Sequence, residues 1–464
     1  MSTPVIWIAI PLAASLALLL LQRFPKLSLG LGATLLFLLA WLAWKIPIEH
    51  TFNLGPLPIR LSDTLEIAGR RFVLGEDARP LLILLFLLAA FWFIGALAAD
   101  VNPFFAPGAV AMLGFFIAAL SVQPFLYAAL LIEIAVLTSI VMLVPPRDPV
   151  RSGVMRYLIF QTLAMPLVLF TGWMLTGVEA GNADINLPLR AGLLLGLGFA
   201  LWLAVFPFHS GITLVSEQNH PYIAAFVFLL LQTAVLIAGV EFLDQFTWLR
   251  TSASLYDILR LIGVMMVFTG GVMSAFQNHL GRILGTAVLF ETGFSLLAVS
   301  LGGQQGIEIF SMLFLPRALA MAVWALSLTA LRNAAGDLQL TSLTGMGRRN
   351  PLALAGITLA CLSLAGMPLL SGFPVKLELL QSLAAHYPVV AILCLLGMLG
   401  LTVAALRSLA VMAVGDSWSR DTGQSWLVRG LLAAGMLAIL AIGLLPQVFI
   451  TPLAALARSF SHLL

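Results

Sequence analysis

The sequence predicts an all-α polytopic membrane protein of about fourteen transmembrane helices, built from two inverted five-helix repeats whose broken helices are 7 and 12. Three observations carry that expectation. Of the 464 residues, 61% are hydrophobic and 9% charged, with a mean hydropathy of +1.07, whereas soluble domains carry roughly a quarter charged residues. Apolar segments of the ~20-residue length that a spanning helix needs begin near residues 4, 28, 80, 104, 124, 150, 189, 221, 256, 282, 308, 351, 388 and 427. Two of them, five spans apart, carry matching interruptions. Paired broken helices mark a binding or conduction site at the interface of structural repeats, and an odd offset inverts one repeat relative to the other.

The first segment, MSTPVIWIAIPLAASLALLLLQRF, has no basic residue before its apolar run, and Arg23 and Lys26 follow it; it is expected to be retained as a span. Residues 1–100 thus hold three spans. Their polar connection, 46–79, contains TFNLGPLPIRLS and GRRFVLG, which alternate apolar and polar residues around Gly and Pro and predict a small extracytoplasmic β-hairpin. The first repeat is expected over 104–243 (spans 4–8), the second over 254–415 (spans 9–13), and a last span with a short tail over 427–464. With the hairpin loop set aside, Arg23, Lys26, Arg147, Arg151, Arg282, Arg332, Arg348, Arg349, Arg420 and Arg429 fall in one set of alternate loops. Only Arg190, Arg250 and Arg260 fall in the other. The positive-inside rule then places both termini outside the cytoplasm, in the cell inner (cytoplasmic) membrane. The net charge of +3 is loop topology, which excludes a nucleic-acid partner. Cys361 and Cys394 fall inside apolar segments and are read as core residues. Neither a metal, a redox centre nor any other bound cofactor is expected on this chain.

The stretch Leu362 to Leu380, LSLAGMPLLSGFPVKLELL, places Pro368, Ser371, Gly372 and Pro374 ahead of Lys376 and Glu378. Proline inside a helix removes a donor and opens the backbone. At membrane depth such backbone survives only where protein buries it or it lines a wet cavity, and an ionisable residue beside it marks a functional site. Segment seven is broken in the same way at Pro207 and His209. Lys376 is read as a group that can release a proton, which arginine cannot; the bland reading is a permanent pair with Glu378. Glu133 lies about nine residues into span five, near the midplane at ~1.5 Å per residue, either as a relay group or as a static partner of Arg156. Glu291 and Arg317 share mid-depth in adjacent spans, so an ion pair between them is the economical expectation. Arg407 is expected to snorkel from span thirteen, and His209 to satisfy an opened carbonyl or relay a proton. The proton-path candidates are therefore Glu133, Lys376, Glu291, His209 and Glu378.

These residues resemble the antiporter-like, proton-translocating membrane subunits of NADH:quinone oxidoreductase, respiratory complex I, most nearly the N-type subunit. The resemblance covers about 80–450. Arg156-Tyr157 is similar to that family's Lys-Tyr opening span six, and Pro207-Phe208-His209 to its PFH at the seventh-span break. Arg282 to Phe294 is similar to KRLLGYSSISHLGY, and Ser363 to Pro368 with Gly372-Phe373 and Lys376 to SLAGIP followed by GF and GK. The family's machinery is a fifth-span glutamate, seventh- and eighth-span lysines and a twelfth-span lysine or glutamate. Glu133 and Lys376 match the first and last. Trp202 and Gln232 stand where the two middle lysines belong, and Glu291 replaces a tenth-span histidine. The resemblance implies a non-catalytic membrane-arm subunit taking part in proton translocation coupled to quinone reduction, with a degenerate first half-channel and with other membrane subunits as partners. The alternatives are a scaffold or repurposed paralogue in a cation/proton antiporter, membrane hydrogenase or carbon-uptake complex, or a solitary secondary transporter.

Overall fold

Proline sets where many of the helices begin. A computed structural model describes every residue except 1, 49–50, 55–56, 61–62, 68, 146–148, 180–186, 415–424, 455, 458–459, 461 and 464; Arg147 and Arg420 lie outside the described residues. In chain order the helices are α1 (Ile10–Leu20), α2 (Pro25–Lys45), α3 (Arg79–Ala99), α4 (Phe105–Ser121), α5 (Ala128–Leu143), α6 (Ser152–Glu179) and α7 (Leu187–Trp202). There follow α8 (Ser210–Gln218), α9 (Pro221–Gln245), α10 (Thr247–Arg250), α11 (Ala253–Phe276), α12 (Leu280–Ser300), α13 (Gly303–Met312) and α14 (Phe314–Ala335). The last are α15 (Met346–Arg349), α16 (Pro351–Leu364), α17 (Phe373–His386), α18 (Pro388–Ala413), α19 (Trp426–Leu444) and α20 (Gln447–Ala454). Helices α2, α9, α16, α17 and α18 carry Pro at their first or second position, where the missing N–H costs no helical bond.

Among the described residues, ten helical segments are long and apolar enough to cross a membrane, and four shorter apolar helices, Val5–Leu20, Phe105–Ser121, Leu189–Trp202 and Pro351–Leu364, join them. Together they stand where the fourteen apolar segments were expected. Two of the short ones are first halves of broken spans: α7 gives way to α8 across Leu203–His209, and α16 to α17 across Ala365–Gly372.

Packing repeats across the two halves. Helix α4 lies on α5 and α9, as α11 lies on α12 and α18; α6 lies against both pieces of its broken span, α7 and α8, as α14 and α13 lie against α16 and α17. The apolar windows of α12, α9 and the α13–α14 span are 100%, 89% and 83% buried. These three are the most enclosed of the spans, and Gln232, Glu291 and Arg317, which they carry, are buried.

The polar connection forms two antiparallel hairpins rather than one. Strands β1 (Thr51–Leu54) and β2 (Leu57–Arg60) pair, and β3 (Thr64–Ile67) pairs with β4 (Arg70–Val73). Strand β4 also takes up β5 (Val122–Gln123), the segment joining α4 to the fifth span, so these two connections share one face. The connections after α5, α8, α11 and α14 meet on another, where Arg151, Glu217, Asn219, His279, Arg282, Arg332 and Asp337 line a chamber of about 410 Å³. This is the arginine-rich face.

Candidate functional site

The break between α16 and α17 is closed by small residues. Gly366 turns the chain at φ +73°, a left-handed conformation that favours glycine. A side chain at Gly372 would collide with the Ser363 carbonyl. The Ser363 and Ser371 hydroxyls meet at 2.9 Å, and the Gly372 N–H donates to Ser363 Oγ at 3.3 Å. This leaves the carbonyl of Leu364, the last residue of α16, open. Lys376, in the first turn of α17, reaches back and donates to it, and also donates to Glu291 Oε1 on α12. Both side chains of that ion pair are 2% exposed. The rings of Phe290 and Phe294 stand 5.1 and 4.8 Å from Lys376 Nζ, presenting their negative faces to the ammonium.

Arg317 comes to the same place from α14 and corrects the expected pairing. Its Nη1 donates to Ser295 Oγ at 3.3 Å while Nη2 is buried without a hydrogen-bond partner. Glu291 bonds Lys376 instead, because the broken helix brings the lysine onto α12 from 85 positions away. Two cations thus share one carboxylate. Arg317 is permanently charged, so any change of charge here occurs on Lys376 or Glu291.

The first half has the same geometry and neutral chemistry. The open carbonyl at the end of α7 is that of Trp202, and it accepts from Gln161 Nε2 at 3.0 Å and from Gln232 Nε2 at 3.2 Å. Two amides do there what one ammonium does in the second half. Glu133 accepts from Thr162 Oγ1 at 2.7 Å, and its Oε2 is buried without a partner. Arg156 is exposed, since it lies on the outward side of α6, so a static pair with Glu133 does not form. His209 stacks on Phe206 at 5.4 Å between ring centroids, and its Nδ1 has no partner.

The structure also places Glu378, Arg407 and the two prolines of the second break. Glu378, half-buried, does not pair with Lys376; it lies one helical side away, with Glu308 as its charged neighbour. Arg407 is half-buried, with Nε and Nη2 enclosed and without hydrogen-bond partners. Pro368 precedes α17, whereas Pro374, read as a break, occupies its first turn, where it starts the helix.

Sequence reading missed His279 and Asp337. His279 caps α12, its Nδ1 accepting from Gly281 N–H at 3.1 Å, with Nε2 3.5 Å from Asp337. Burial pushes this imidazole below its ordinary value, against the opposing pull of Glu217 and Asp337. Its position just ahead of an apolar run was the available signal. The Arg282–Glu217 ion pair at 2.8 Å and the Arg332 Nη1 bond to the Asn219 carbonyl at 3.1 Å tie α8 to the second half. Among the described residues no cluster of His, Cys, Asp and Glu could hold a metal ion.

The family model for NADH:quinone oxidoreductase/Mrp antiporter membrane segments matches residues 169–402. The chain is 28% identical over 288 residues to NADH-quinone oxidoreductase subunit N 1 of Herpetosiphon aurantiacus, covering 60% of this chain and 57% of that protein. It is 26% identical over 452 residues to NADH-quinone oxidoreductase subunit 14 of Thermus thermophilus, covering 92% and 100%. Among solved structures, a chain of the Mrp complex from a Dietzia species superposes with a TM-score of 0.80 at 17% identity, covering 99% of this chain and 97% of that one. A chain of respiratory complex I from Thermus thermophilus superposes at 0.76 and 21% identity, covering 99% and 98%; both likenesses concern the fold. With its two broken helices and a family match that spans half its length, this multi-pass membrane protein belongs to the NADH:quinone oxidoreductase/Mrp antiporter membrane-subunit family.

Proposed function

We propose that this chain is a membrane-arm subunit of a complex I-like respiratory assembly, surrounded by other membrane subunits, and that it takes part in proton translocation through its second half. The observation that carries this reading is the enclosed Lys376 ammonium, held between the Glu291 carboxylate and the open Leu364 carbonyl. A lysine can give up its proton and remain in place. Once neutral, Lys376 keeps the Leu364 carbonyl as an acceptor, and Glu291 keeps Arg317 as a neighbouring fixed cation, so the carboxylate is never left without positive charge. An uncompensated buried charge would cost several kcal/mol. The His279 and Asp337 chamber lies at the start of the helix that carries Glu291 and is the natural wet approach to it.

The first half supports a different role. Its broken helix is held by neutral amides, and Glu133 has a hydroxyl partner in place of a cation. On this reading the repeats are 104–243 and 254–415, the first retained as structure and the second as the working half. The inner membrane, with extracytoplasmic termini, is the location the loop charges favour, and the chain itself binds no cofactor. A repurposed paralogue or scaffold is the second reading, favoured by that same neutral first half.

Reconstitution of the intact assembly in proteoliposomes separates the two. Lys376→Ala should reduce proton transport per quinone reduced several-fold and Glu133→Ala much less. Lys376→Arg, which keeps charge but cannot release it, should restore assembly without transport. Unchanged coupling in an assembled Lys376→Ala complex would leave the scaffold reading standing.

A further inference from the structure

Away from the charged axis, α3, α14 and α19 enclose a cavity of about 770 Å³, walled by apolar side chains such as Leu84, Phe91, Leu319, Ala322, Leu431 and Ala438. That volume lies in the ~300–1,000 Å³ range of sites that hold organic ligands. The Tyr222 ring also lines it, but its hydroxyl is committed to the Trp92 carbonyl at 2.8 Å. The Trp92 indole lines it as well, with its N–H buried and unpartnered, and the remaining walls suit hydrocarbon.

Toward the arginine-rich face the slot meets a second cavity of about 410 Å³, with Leu326 in the walls of both. The second cavity is polar. Asn333 enters it from the end of α14, Arg349 and Asn350 from the junction of α15 and α16, and Ser425 from the start of α19. Arg349 forms part of its wall, and its Nε is buried without a hydrogen-bond partner. An apolar slot at bilayer depth, topped by a polar chamber with an arginine in its wall, matches an amphiphile with an anionic head.

We propose that this chain binds a phospholipid with an anionic headgroup in the leaflet of the arginine-rich face, an acyl chain in the α3–α14–α19 slot and the phosphate against Arg349. Guanidinium is suited to phosphate by its planar fork of donors. A quinone would fill the slot with its isoprenoid tail and leave Arg349 without an anion. A helix from a neighbouring subunit would likewise cover the slot without supplying that charge.

The test is native mass spectrometry and quantitative lipid extraction on the intact complex purified in mild detergent, with assembly read from the same spectra. Wild-type complex should retain anionic phospholipid in proportion to this subunit. Arg349→Ala should lower its retention relative to zwitterionic lipid about tenfold, equivalent to ~1.4 kcal/mol, and Arg349→Lys should recover part of it. Ala438→Phe, which fills the slot, should expel lipid of either head type. Equal anionic lipid in wild type and Arg349→Ala, lipid content unaffected by Ala438→Phe, or quinone in place of phospholipid in the wild-type extract would each overturn the proposal.

Discussion

At Lys376 one side chain answers two needs, capping an opened helix through the Leu364 carbonyl and neutralising Glu291. Removing either partner of an enclosed pair strands the other, and the cost is about 3–5 kcal/mol. Glu291→Gln and Lys376→Met should each destabilise the protein by that amount, and the double variant should recover a large part; strictly additive losses in a double-mutant cycle would argue against the pair. Lys376→Met should be the milder single change, because Glu291 keeps Arg317 as a neighbouring cation, whereas Glu291→Gln leaves Lys376 and Arg317 as two enclosed cations without a carboxylate. His220, in the connection between α8 and α9, offers a second measurement. Burial and then the charge of Arg332 push its imidazole down to about 4, against the pull of the Ala99 carbonyl and Asp100. The unfolded chain takes up this proton below about 6.5 while the folded one does not, so stability is lost as pH falls from about 6.5 toward 4, by up to ~3 kcal/mol. Above that window His220 is neutral in both states and contributes no slope. Thermal melts between pH 7 and 4.5 should fall less steeply for His220→Gln than for wild type, and parallel curves would remove His220 from the account.

At the scale of elements, the spans were legible because run length and hydropathy dictate them, and the two breaks because proline and glycine punctuate helices regardless of context. Partners were not legible. Adjacent spans of matching depth favour a Glu291–Arg317 pair, yet the bond of Glu291 is to a lysine on α17. Only the tertiary path of the broken helix brings that lysine to α12. The amides of Gln161 and Gln232 on the Trp202 carbonyl were hidden for the same reason: the sequence shows that a lysine is missing but not what replaces its bond. Strand β5 is two residues long and carries too little pattern to be foreseen. Close packing of α11 on α18 was equally silent in hydropathy. Side chains added at Gly271, Gly397 or Gly400 would strike the backbone of the facing helix, which is the small-residue contact by which membrane helices approach. Gly397→Val should therefore cost ~1–3 kcal/mol, read as a lower melting temperature in detergent, whereas Gly430→Ala, with open space around it, should leave the melt unchanged. Equal melts for the two variants would show that α11 and α18 can separate freely.

Over the whole molecule, the loops divide into two groups that the fold keeps apart. Strand β5 pairs with β4, so the connections after α2 and α4 share a face, and the Asp244 side chain at the end of α9 accepts from the His462 backbone N–H at 2.8 Å, which adds the C-terminal tail to the end of that helix. The connections after α5, α8, α11 and α14 gather instead around the chamber lined by Arg151, Arg282 and Arg332. Alternate connections on opposite faces are what an unbroken succession of spans requires, and each broken helix must count as one crossing for the alternation to hold. In the proposed orientation the arginine-rich group is the cytoplasmic one, because a positively charged loop is retained on that side. Both native cysteines are buried, which permits single reporter cysteines to be read with a membrane-impermeant thiol reagent. Glu66→Cys, in β3, should label in intact cells, and Thr341→Cys, between α14 and α15, only after the membrane is opened. Labelling of both from the same side would break the alternation and with it the assignment of α7–α8 and α16–α17 as single interrupted spans. Labelling from opposite sides in the reverse sense would keep the fold and invert it, which would place the arginine chamber, the lysine's approach and the proposed lipid head on the far side of the membrane.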